Sequence, residues 1–271
     1  MVGQKKLLEY FETHDLAPFT IVIGVEGSGK NLLIRESCIK KESIVYILPD
    51  IRVDTVRKMI TDAYKVNRSV IYIIPDADSM SLAAKNALLK LTEEPPEKAR
   101  IIMTLEQLDN TLPTIISRAR VLELDPYSEL ELLSFLPDKM KSDTEMASLV
   151  RDVCEVPGDV KKLVDAGLDM WYFVSKVTAN IHTVRAANAL KILDYIALKP
   201  DDKKYDFQLF LRMFKAACVR YALQDTTSPD FGRFLEGVGI TSSILGKFRI
   251  NGINKQFLFD RWVFEIREAW R

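Results

Sequence analysis

Residues 24–31, GVEGSGKN, have a spacing that can hold a phosphate group. Phosphate-binding loops follow the pattern G-x-x-x-x-G-K-[ST], and Gly24, Gly29 and Lys30 fit it. The glycines let the backbone curl so that N–H groups point at phosphate oxygens, and the lysine adds a full positive charge. Asn31 replaces the hydroxyl residue that normally ligates Mg²⁺. We therefore expect an anion site that binds this ion less well.

The elements around the loop occur in the order that anion binding requires. A β-branched run over 19–24 precedes the loop, and Gly27 and Ser28 lie within it. A helix predicted to begin near Lys30 directs the positive end of its dipole at the same point. All these loop residues belong to the predicted site. A glycine-rich turn without a ligand is the alternative interpretation.

A second candidate site follows the apolar run VIYII. Hydrolysis at such a loop also uses an acidic pair after a neighbouring strand, one residue for Mg²⁺ and one that activates water. Pro75 occupies the metal position and Asp76 the base position. If Asp76 took the metal instead, Ala77 would stand where the base should be. Asn31 and Pro75 thus weaken the same metal site, and Asp76 and Asp78 remain open to interpretation as turn and cap residues.

Five short apolar runs predict the strands that position these residues. They do not alternate with polar residues, which is typical of parallel strands buried on both faces. The intervening segments are long enough for crossover helices, so an α/β fold with a parallel sheet is predicted. The predicted strands are FTIVIG (19–24), SIVYIL (43–48), SVIYII (69–74), RIIMTL (100–105) and VLELD (121–125).

From about residue 127 the strand signals fade, and the rest of the chain is predicted to be helical. We divide the sequence into an α/β domain over 1–125, a small helical domain over 126–176 and an all-helical domain over 177–271. In the last helix, Phe257 and Phe264 are expected to share a broad apolar stripe with Trp262 and Ile266. That stripe would form core or a subunit interface.

Composition excludes several classes of protein. The chain has 38 basic and 38 acidic residues, so no overall field draws it to DNA or to a membrane. Cys38, Cys154 and Cys218 are far apart, which indicates a reducing compartment and neither a disulfide framework nor a zinc site. No apolar run approaches the roughly 18 residues of a membrane span. The start, MVGQKKLLEYF, lacks the apolar core of a signal peptide. A cytoplasmic location is expected.

Residues 76–120 carry a more specific pattern, DADSMSLAAKNALLKLTEEPPEKARIIMT followed by LPTIISRAR. This region resembles the clamp-loader group of AAA+ proteins, and most of all the delta-prime and gamma/tau subunits of bacterial DNA polymerase III. NALLKLTEEPP at 86–96 is similar to the family's most distinctive stretch. ISR at 116–118 is similar to its Ser-Arg-Cys motif, with Ala119 in place of the cysteine.

The resemblance extends more weakly over the rest of the chain. Gly3-Gln4 is similar to the pair that opens these domains, and NGINKQFLFDRW at 251–262 is similar to the segment that opens the last collar helix. GDVK at 158–161 lies where the family carries its second nucleotide sensor, which is usually arginine. The family's cysteine-rich zinc module is absent from the sequence, so no zinc is expected.

The resemblance implies a P-loop AAA+ core over the first predicted domain, a helical lid over the second and a helical collar over the third. It implies ATP in the loop, with Thr104 and Lys161 as nucleotide sensors and Asp76 as the base. Arg118 is implied as an arginine finger that acts on a neighbouring subunit. The implied partners are other clamp-loader subunits and, through the assembly, a sliding clamp and primer–template DNA, with no membrane.

Three functions compete at this point. The leading hypothesis is a delta-prime-like clamp-loader subunit of a DNA replication machine, which binds ATP weakly or does not hydrolyse it and supplies Arg118 to an ATPase neighbour. The second is an active gamma/tau-like AAA+ ATPase that uses Asn31 and either Asp76 or Asp78 for Mg²⁺. The third is a regulatory AAA+ module unrelated to clamps. Hydrolysis by the isolated chain is not expected.

Overall fold

The computed structural model describes residues 3–13, 15–39, 43–180, 196–197, 205–248 and 253–270. The chain divides into two compact units. The first contains residues 1–131 and 156–158, and the second contains residues 132–155 and 159–271. The first unit contains the five-stranded sheet, and the second is mainly helical.

The sheet consists of β1 (Phe19–Ile23), β2 (Ile44–Ile47), β3 (Val70–Ile74), β4 (Ala99–Leu105) and β5 (Arg120–Glu123). All the strands are parallel, in the order β2-β3-β4-β1-β5. In β1, Ile21 pairs with Met103 of β4 and with Val121 of β5. The predicted α/β class with a parallel sheet is confirmed.

Helices cover both faces of this sheet. Alternate residues of the strands point to opposite faces, so each strand contributes to two separate cores. One core packs against α3, α4 and α5, and the other packs against α1 and α2. These helices are α1 (Lys5–Thr13), α2 (Lys30–Ile39), α3 (Val53–Ala63), α4 (Leu82–Glu93) and α5 (Pro113–Ile116), and 3-10 turns lie at Ala77–Ser79 and Leu108–Asn110.

The prediction that the strands are buried on both faces is confirmed for the inner strands and is wrong for the two edge strands, β2 and β5. Every residue of β1 and β3 is buried. In β2, Ile44, Tyr46 and Ile47 are exposed, and in β5 both end residues are exposed. An edge strand has a neighbouring strand on one side only, so its side chains receive less cover than those of an inner strand.

Helix α4 begins after Ser81 and ends just before Pro95-Pro96. The Ser81 hydroxyl accepts a hydrogen bond from the Ala84 N–H at 3.3 Å, as an N-cap residue does. Leu88 and Leu91 are buried on the same face as Ala84. At the other end, the Tyr64 hydroxyl donates to the Glu94 carbonyl oxygen at 2.7 Å. Contacts from α3 thus fix the start of the EEPP segment.

The second unit has an aromatic core. Phe210 and Phe214 meet the buried Trp262 edge-on, with ring centroids 5.4 and 4.9 Å apart, and the Trp262 indole N–H donates to Thr241 at 3.1 Å. Besides α6 (Glu129–Ser134), which begins in the first unit, the helices of this part are α7 (Thr144–Val153), α8 (Pro157–Asn180), α9 (Phe207–Gln224), α10 (Phe231–Lys247) and α11 (Lys255–Ala269). The described residues of this unit also include a 3-10 turn at Asp138–Met140 and a short strand pair, β6 (Ile196–Ala197) with β7 (Tyr205–Asp206).

The prediction that the last helix carries one shared apolar face is wrong. Trp262 and Ile266 are buried, whereas Phe257 and Phe264 are 58% and 65% exposed. Ile266 follows Phe257 by nine positions, and at about 100° per residue that spacing puts the two side chains on opposite sides of a helix. Asn254 caps this helix by accepting hydrogen bonds from two backbone N–H groups. The neighbouring residues 251–252 of the predicted family segment lie outside the described residues.

The finer division of the helical part stays a prediction. The predicted boundary at 176/177 falls inside α8, in which Gly167 is non-helical with a φ of 68°. The assignment of a lid to 126–176 and a collar to 177–271 is not tested by this break. Within the described ranges, no helix is long and apolar enough to cross a membrane.

Candidate phosphate-binding site

The predicted loop joins β1 to α2, and its glycines are required by its shape. Gly27 and Gly29 have φ values of 79° and 81°, in the left-handed region that favours glycine. A Cβ on Gly24 would lie 2.8 Å from the Ser28 hydroxyl oxygen. That hydroxyl is buried and has no hydrogen-bond partner among the described residues. The sequence therefore folds into a compact glycine loop ahead of a helix, as predicted.

Two distant segments hold this loop from outside. The N–H of Gly158 donates to the Gly27 carbonyl oxygen at 2.9 Å, and the Tyr127 hydroxyl donates to the Ser28 carbonyl oxygen at 2.7 Å. Burial raises the pKa of Tyr127, which keeps its hydroxyl protonated as a donor. Sequence reasoning missed Tyr127, because nothing in the local pattern separates it from an ordinary loop tyrosine.

The N-terminal segment is tied to the same region. The Gln4 side-chain amide donates to the Asp125 carbonyl oxygen at 2.6 Å, and its oxygen accepts from the Asp125 N–H at 2.9 Å. Gln4 is buried and has a φ of 57°, an unusual backbone conformation for a residue other than glycine. This reciprocal pair of hydrogen bonds ties the segment before α1 to the segment after β5. It gives a physical role to Gln4, one of the two residues that resemble the opening of the family's domains.

The charge of Lys30 is paired inside the protein. Its side chain is only 5% exposed, and its ammonium nitrogen lies 3.3 Å from a carboxylate oxygen of Asp76, whose side chain is 63% exposed. A buried charge is costly unless it is paired. Asp76 comes two residues after the end of β3 and lies beside the loop. The two sites predicted from the sequence therefore form one site.

Asn31 joins the same group. Its amide nitrogen donates to the other Asp76 carboxylate oxygen at 3.0 Å, and its amide oxygen accepts from the Thr104 hydroxyl at 2.9 Å. The Thr104 hydroxyl oxygen in turn accepts from the Asp76 backbone N–H at 2.8 Å. The three residues form a closed ring of hydrogen bonds, which we call the Asn31 ring. Thr104 is fully buried in this ring, and its predicted role as a nucleotide sensor stays a prediction.

These donors do not suit a divalent cation. Mg²⁺ requires oxygen ligands in octahedral geometry. Here the Asn31 oxygen is turned toward Thr104, while the Asn31 NH₂ group and the Lys30 ammonium face the Asp76 carboxylate. A cation placed between Asn31 and Asp76 would meet amide protons instead of a second oxygen. We therefore assign no step to a metal ion.

Asp78 acts as a cap. Its carboxylate accepts from the backbone N–H of Glu106 at 2.9 Å and from the Asn110 amide at 2.7 Å. These bonds tie the turn after β3 to the turn after β4. For Asp78 this contact matches the turn-and-cap interpretation that the sequence left open, whereas the Asp76 carboxylate makes no cap bond and pairs with Lys30 and Asn31.

Arg118 lies at the end of α5, with its side chain 42% exposed. Its guanidinium donates to the Thr114 carbonyl oxygen at 3.0 Å and lies 3.9 Å from a carboxylate oxygen of Glu93. Arg120, two positions later, pairs with Thr20 at the start of β1. Arg118 therefore lies near the amino ends of the strands, whereas the loop follows their carboxyl ends.

Residues 11–128 match the family model described as DNA polymerase III, delta subunit. This segment holds the loop, the Asn31 ring and Arg118. This part of the chain is therefore similar to the delta and delta-prime subunits of DNA polymerase III.

Comparisons with individual proteins agree with this family. The delta-prime subunit of DNA polymerase III from Buchnera aphidicola (subsp. Schizaphis graminum) is 28% identical over 68% of this chain and 55% of its own length. The gamma subunit from Buchnera aphidicola (subsp. Acyrthosiphon pisum) is 27% identical over 58% of this chain and 42% of its own. The chain thus spans about half the length of the curated relatives it matches.

Among solved structures, the crystal structure of a gamma subunit-related protein from Thermotoga maritima aligns over 99% of both chains, with 19% identity and a TM-score of 0.47.

Lys161, the remaining predicted site residue, lies on the exposed surface of α8 in the second unit. Its role toward the loop stays a prediction. Across the described ranges, no three His, Cys, Asp or Glu side chains group so that they could hold a metal ion.

Several acidic side chains lie near the loop lysine. Burial, together with the nearby charges of Asp78, Glu26 and Asp76, raises the pKa of Glu106, while Lys30 acts in the opposite direction. Four carboxyl groups therefore share a region with one ammonium group. Sequence reasoning missed Glu106, because the residues that raise its pKa come from two other segments, the glycine loop and the turn after β3.

Replacement of Gly158 by alanine should destabilise the protein by roughly 1–3 kcal/mol. The new Cβ would lie 2.6 Å from the Gly27 Cα and would force the loop and the start of α8 apart. Urea unfolding of the full chain would measure the change. Gly239→Ala is the matched control, because a Cβ there meets nothing within 4 Å. It should be neutral or stabilise the helix by about 0.5–1 kcal/mol. Equal stability of both variants would contradict the tight contact.

Replacement of Glu106 by glutamine should change how stability depends on pH. Because the pKa of Glu106 is raised in the folded protein, this group costs stability increasingly as the pH rises above its ordinary value of 4.5. Glu106→Gln should therefore raise the free energy of unfolding at pH 7 relative to the parent and leave it nearly unchanged at pH 4. Urea unfolding at both pH values would test this. An equal difference at both would show that the charge is not responsible.

Proposed function

We propose that this chain is a delta-prime-like clamp-loader subunit that binds nucleotide weakly or not at all and does not hydrolyse it. Its task is to hold a fixed position in the assembly and to supply Arg118 to a neighbouring ATPase subunit. The match of residues 11–128 to the family model described as DNA polymerase III, delta subunit, supports the clamp-loader part. The ligand of the loop is ATP, cradled by residues 24–31 where it binds.

The observation that carries the proposal is the pairing of Lys30 and Asn31 with Asp76. In an active enzyme the loop lysine serves the phosphates, and the acidic residue after the strand serves Mg²⁺. In this protein those groups bind each other. An ATP molecule would have to separate them before it could gain the contacts that hydrolysis needs.

The local charge also opposes a triphosphate. Glu26, Asp76 and Asp78 lie close enough to Glu106 to raise its pKa, and Lys30 is the positive group that lowers it. Carboxylates repel phosphate oxygens, and a divalent cation would normally offset that repulsion. Because a cation does not fit between Asn31 and Asp76, the repulsion remains, which supports weak binding.

The position of Arg118 supports action on a neighbour. Gly24 follows Thr20 by four positions, and Thr20 pairs with Arg120 at the start of β5. At about 3.3 Å per residue, the start of β5 lies roughly 13 Å from the loop along the strands, and Arg118 precedes it. The side chain thus lies away from its own loop and is exposed. A guanidinium presents a fixed fork of donors that suits a γ-phosphate.

The proposed partners follow from the family. They are the other clamp-loader subunits and, through the assembly, a sliding clamp and primer–template DNA. The balance of 38 basic and 38 acidic residues supports an indirect contact with DNA. Residues 126–176 and 177–271 would serve as lid and collar, and the chain would act in the cytoplasm with the replication machinery.

The isolated chain should show no ATP turnover above background, with or without Mg²⁺. The reason is that the groups needed for hydrolysis are paired with each other. Steady-state phosphate release would measure this, with Lys30→Ala as the comparison. Clear hydrolysis that disappears in Lys30→Ala would refute the proposal in favour of an active gamma/tau-like ATPase.

Arg118→Ala should reduce ATP hydrolysis at the neighbour's site by about 10³-fold, the range typical of arginine fingers. The measurement is ATP turnover and clamp loading by the reconstituted assembly. Arg68→Ala, which removes an exposed arginine just before β3, is the matched control and should leave both unchanged. A loss of this chain's own nucleotide affinity in Arg118→Ala, with assembly activity intact, would refute the action on a neighbour.

A further inference from the structure

We infer that the side-chain amide of Asn31 takes the place of the divalent cation in this loop and makes the loop reject such ions. The inference rests on the proposed function in one respect, namely that the loop descends from a nucleotide site. It goes further by assigning the loss of metal binding to one group, the Asn31 NH₂. Asn31 is thus the residue that determines metal specificity here.

The orientation of the amide follows from its neighbours. A carboxylate can only accept hydrogen bonds, so the Asn31 nitrogen must face Asp76. The Asn31 oxygen must then face Thr104, whose hydroxyl donates its proton to it. The Thr104 oxygen is left as an acceptor, and the Asp76 N–H donates to it. A flipped Asn31 amide would place its oxygen against the Asp76 carboxylate, and both groups are acceptors. Only one orientation therefore satisfies the hydrogen bonds of all three residues.

The ring does what a cation does in such a loop. A metal ion would link the residue after the loop lysine to the acidic residue after the neighbouring strand, and it would offset the acidic charge. The Asn31 amide makes that link through its NH₂ group, and the Lys30 ammonium, 3.3 Å from Asp76, offsets the charge. Both functions of the ion are filled by the protein's own side chains.

The backbone of Asp76 shows that the arrangement is held in place. Asp76 has a φ of 46° and a ψ of 50°, in the left-handed region that residues other than glycine seldom adopt. Its N–H is bonded to Thr104, and its carboxylate to Asn31 and Lys30. Without these partners the strained conformation would have no evident compensation. The ring and the ion pair therefore stabilise the conformation that presents the carboxylate to the loop.

Exchange of the amide NH₂ for an oxygen tests the inference directly. In Asn31→Asp two carboxylates would face each other beside the Thr104 hydroxyl, a set of oxygen donors that suits a divalent ion. Without metal, this variant should have a lower unfolding midpoint than the parent. Mn²⁺ should restore the midpoint and should bind the variant at least about tenfold more tightly than it binds the parent. Thermal unfolding and Mn²⁺ titration followed by electron paramagnetic resonance would measure both.

Two further variants keep the test decisive. Asn86→Asp makes the same exchange at an exposed position of α4 and should neither lose stability nor gain Mn²⁺ affinity. If Asn31→Asp does not fold, Asn31→Ser removes the NH₂ group and restores a hydroxyl, and it should also gain Mn²⁺ affinity. Tight Mn²⁺ binding by the parent that is lost in Asp76→Ala would overturn the inference, as would a failure of folded Asn31→Asp or Asn31→Ser to gain affinity. None of these readouts involves ATP turnover or clamp loading, so the proposed function can fail separately.

Discussion

The pairing of the Lys30 ammonium is the constraint on which the candidate site depends. This charge is almost fully removed from water, so a partner of opposite charge has to lie beside it. Asp76 is that partner, and it reaches the lysine from a left-handed backbone conformation directly after β3. Asn31 and Thr104 then hold Asp76 by both its side chain and its backbone. The loop keeps the shape of an anion cradle, while the protein itself satisfies the groups that would serve a ligand and its metal ion.

The direction of the strands separates the two functional ends of the first unit. In a parallel sheet all carboxyl ends lie at one edge, and ligands of such sheets bind outside that edge. The loop and the Asn31 ring follow β1, β3 and β4 at their carboxyl ends. Arg118 precedes β5 and lies toward the opposite edge. This separation suits a subunit whose arginine serves a site on another chain.

Contacts between distant segments make the frame around the loop firm. Gly158 and Tyr127 bind two successive carbonyl groups of the loop, and Gln4 joins the first helix to the end of β5. Each of these bonds connects residues about a hundred or more positions apart in the sequence. A component that presents one side chain to a neighbour benefits from such fixed geometry more than from a loop that must open and close.

The sequence by itself determined the secondary structure of the first unit, the parallel sheet and the glycine loop, because apolar runs, caps and glycine spacing act over short stretches of chain. It also identified Asn31 and Pro75 as the two departures that weaken the metal site, and Asp76 as the candidate base. Only the tertiary structure decided that these residues bind each other and Thr104, since the orientation of one amide depends on partners 45 and 73 positions away. The exposure of β2 was likewise decided by what packs beside it. Local patterns report which residues share a face; which face meets a neighbour follows from the assembled fold.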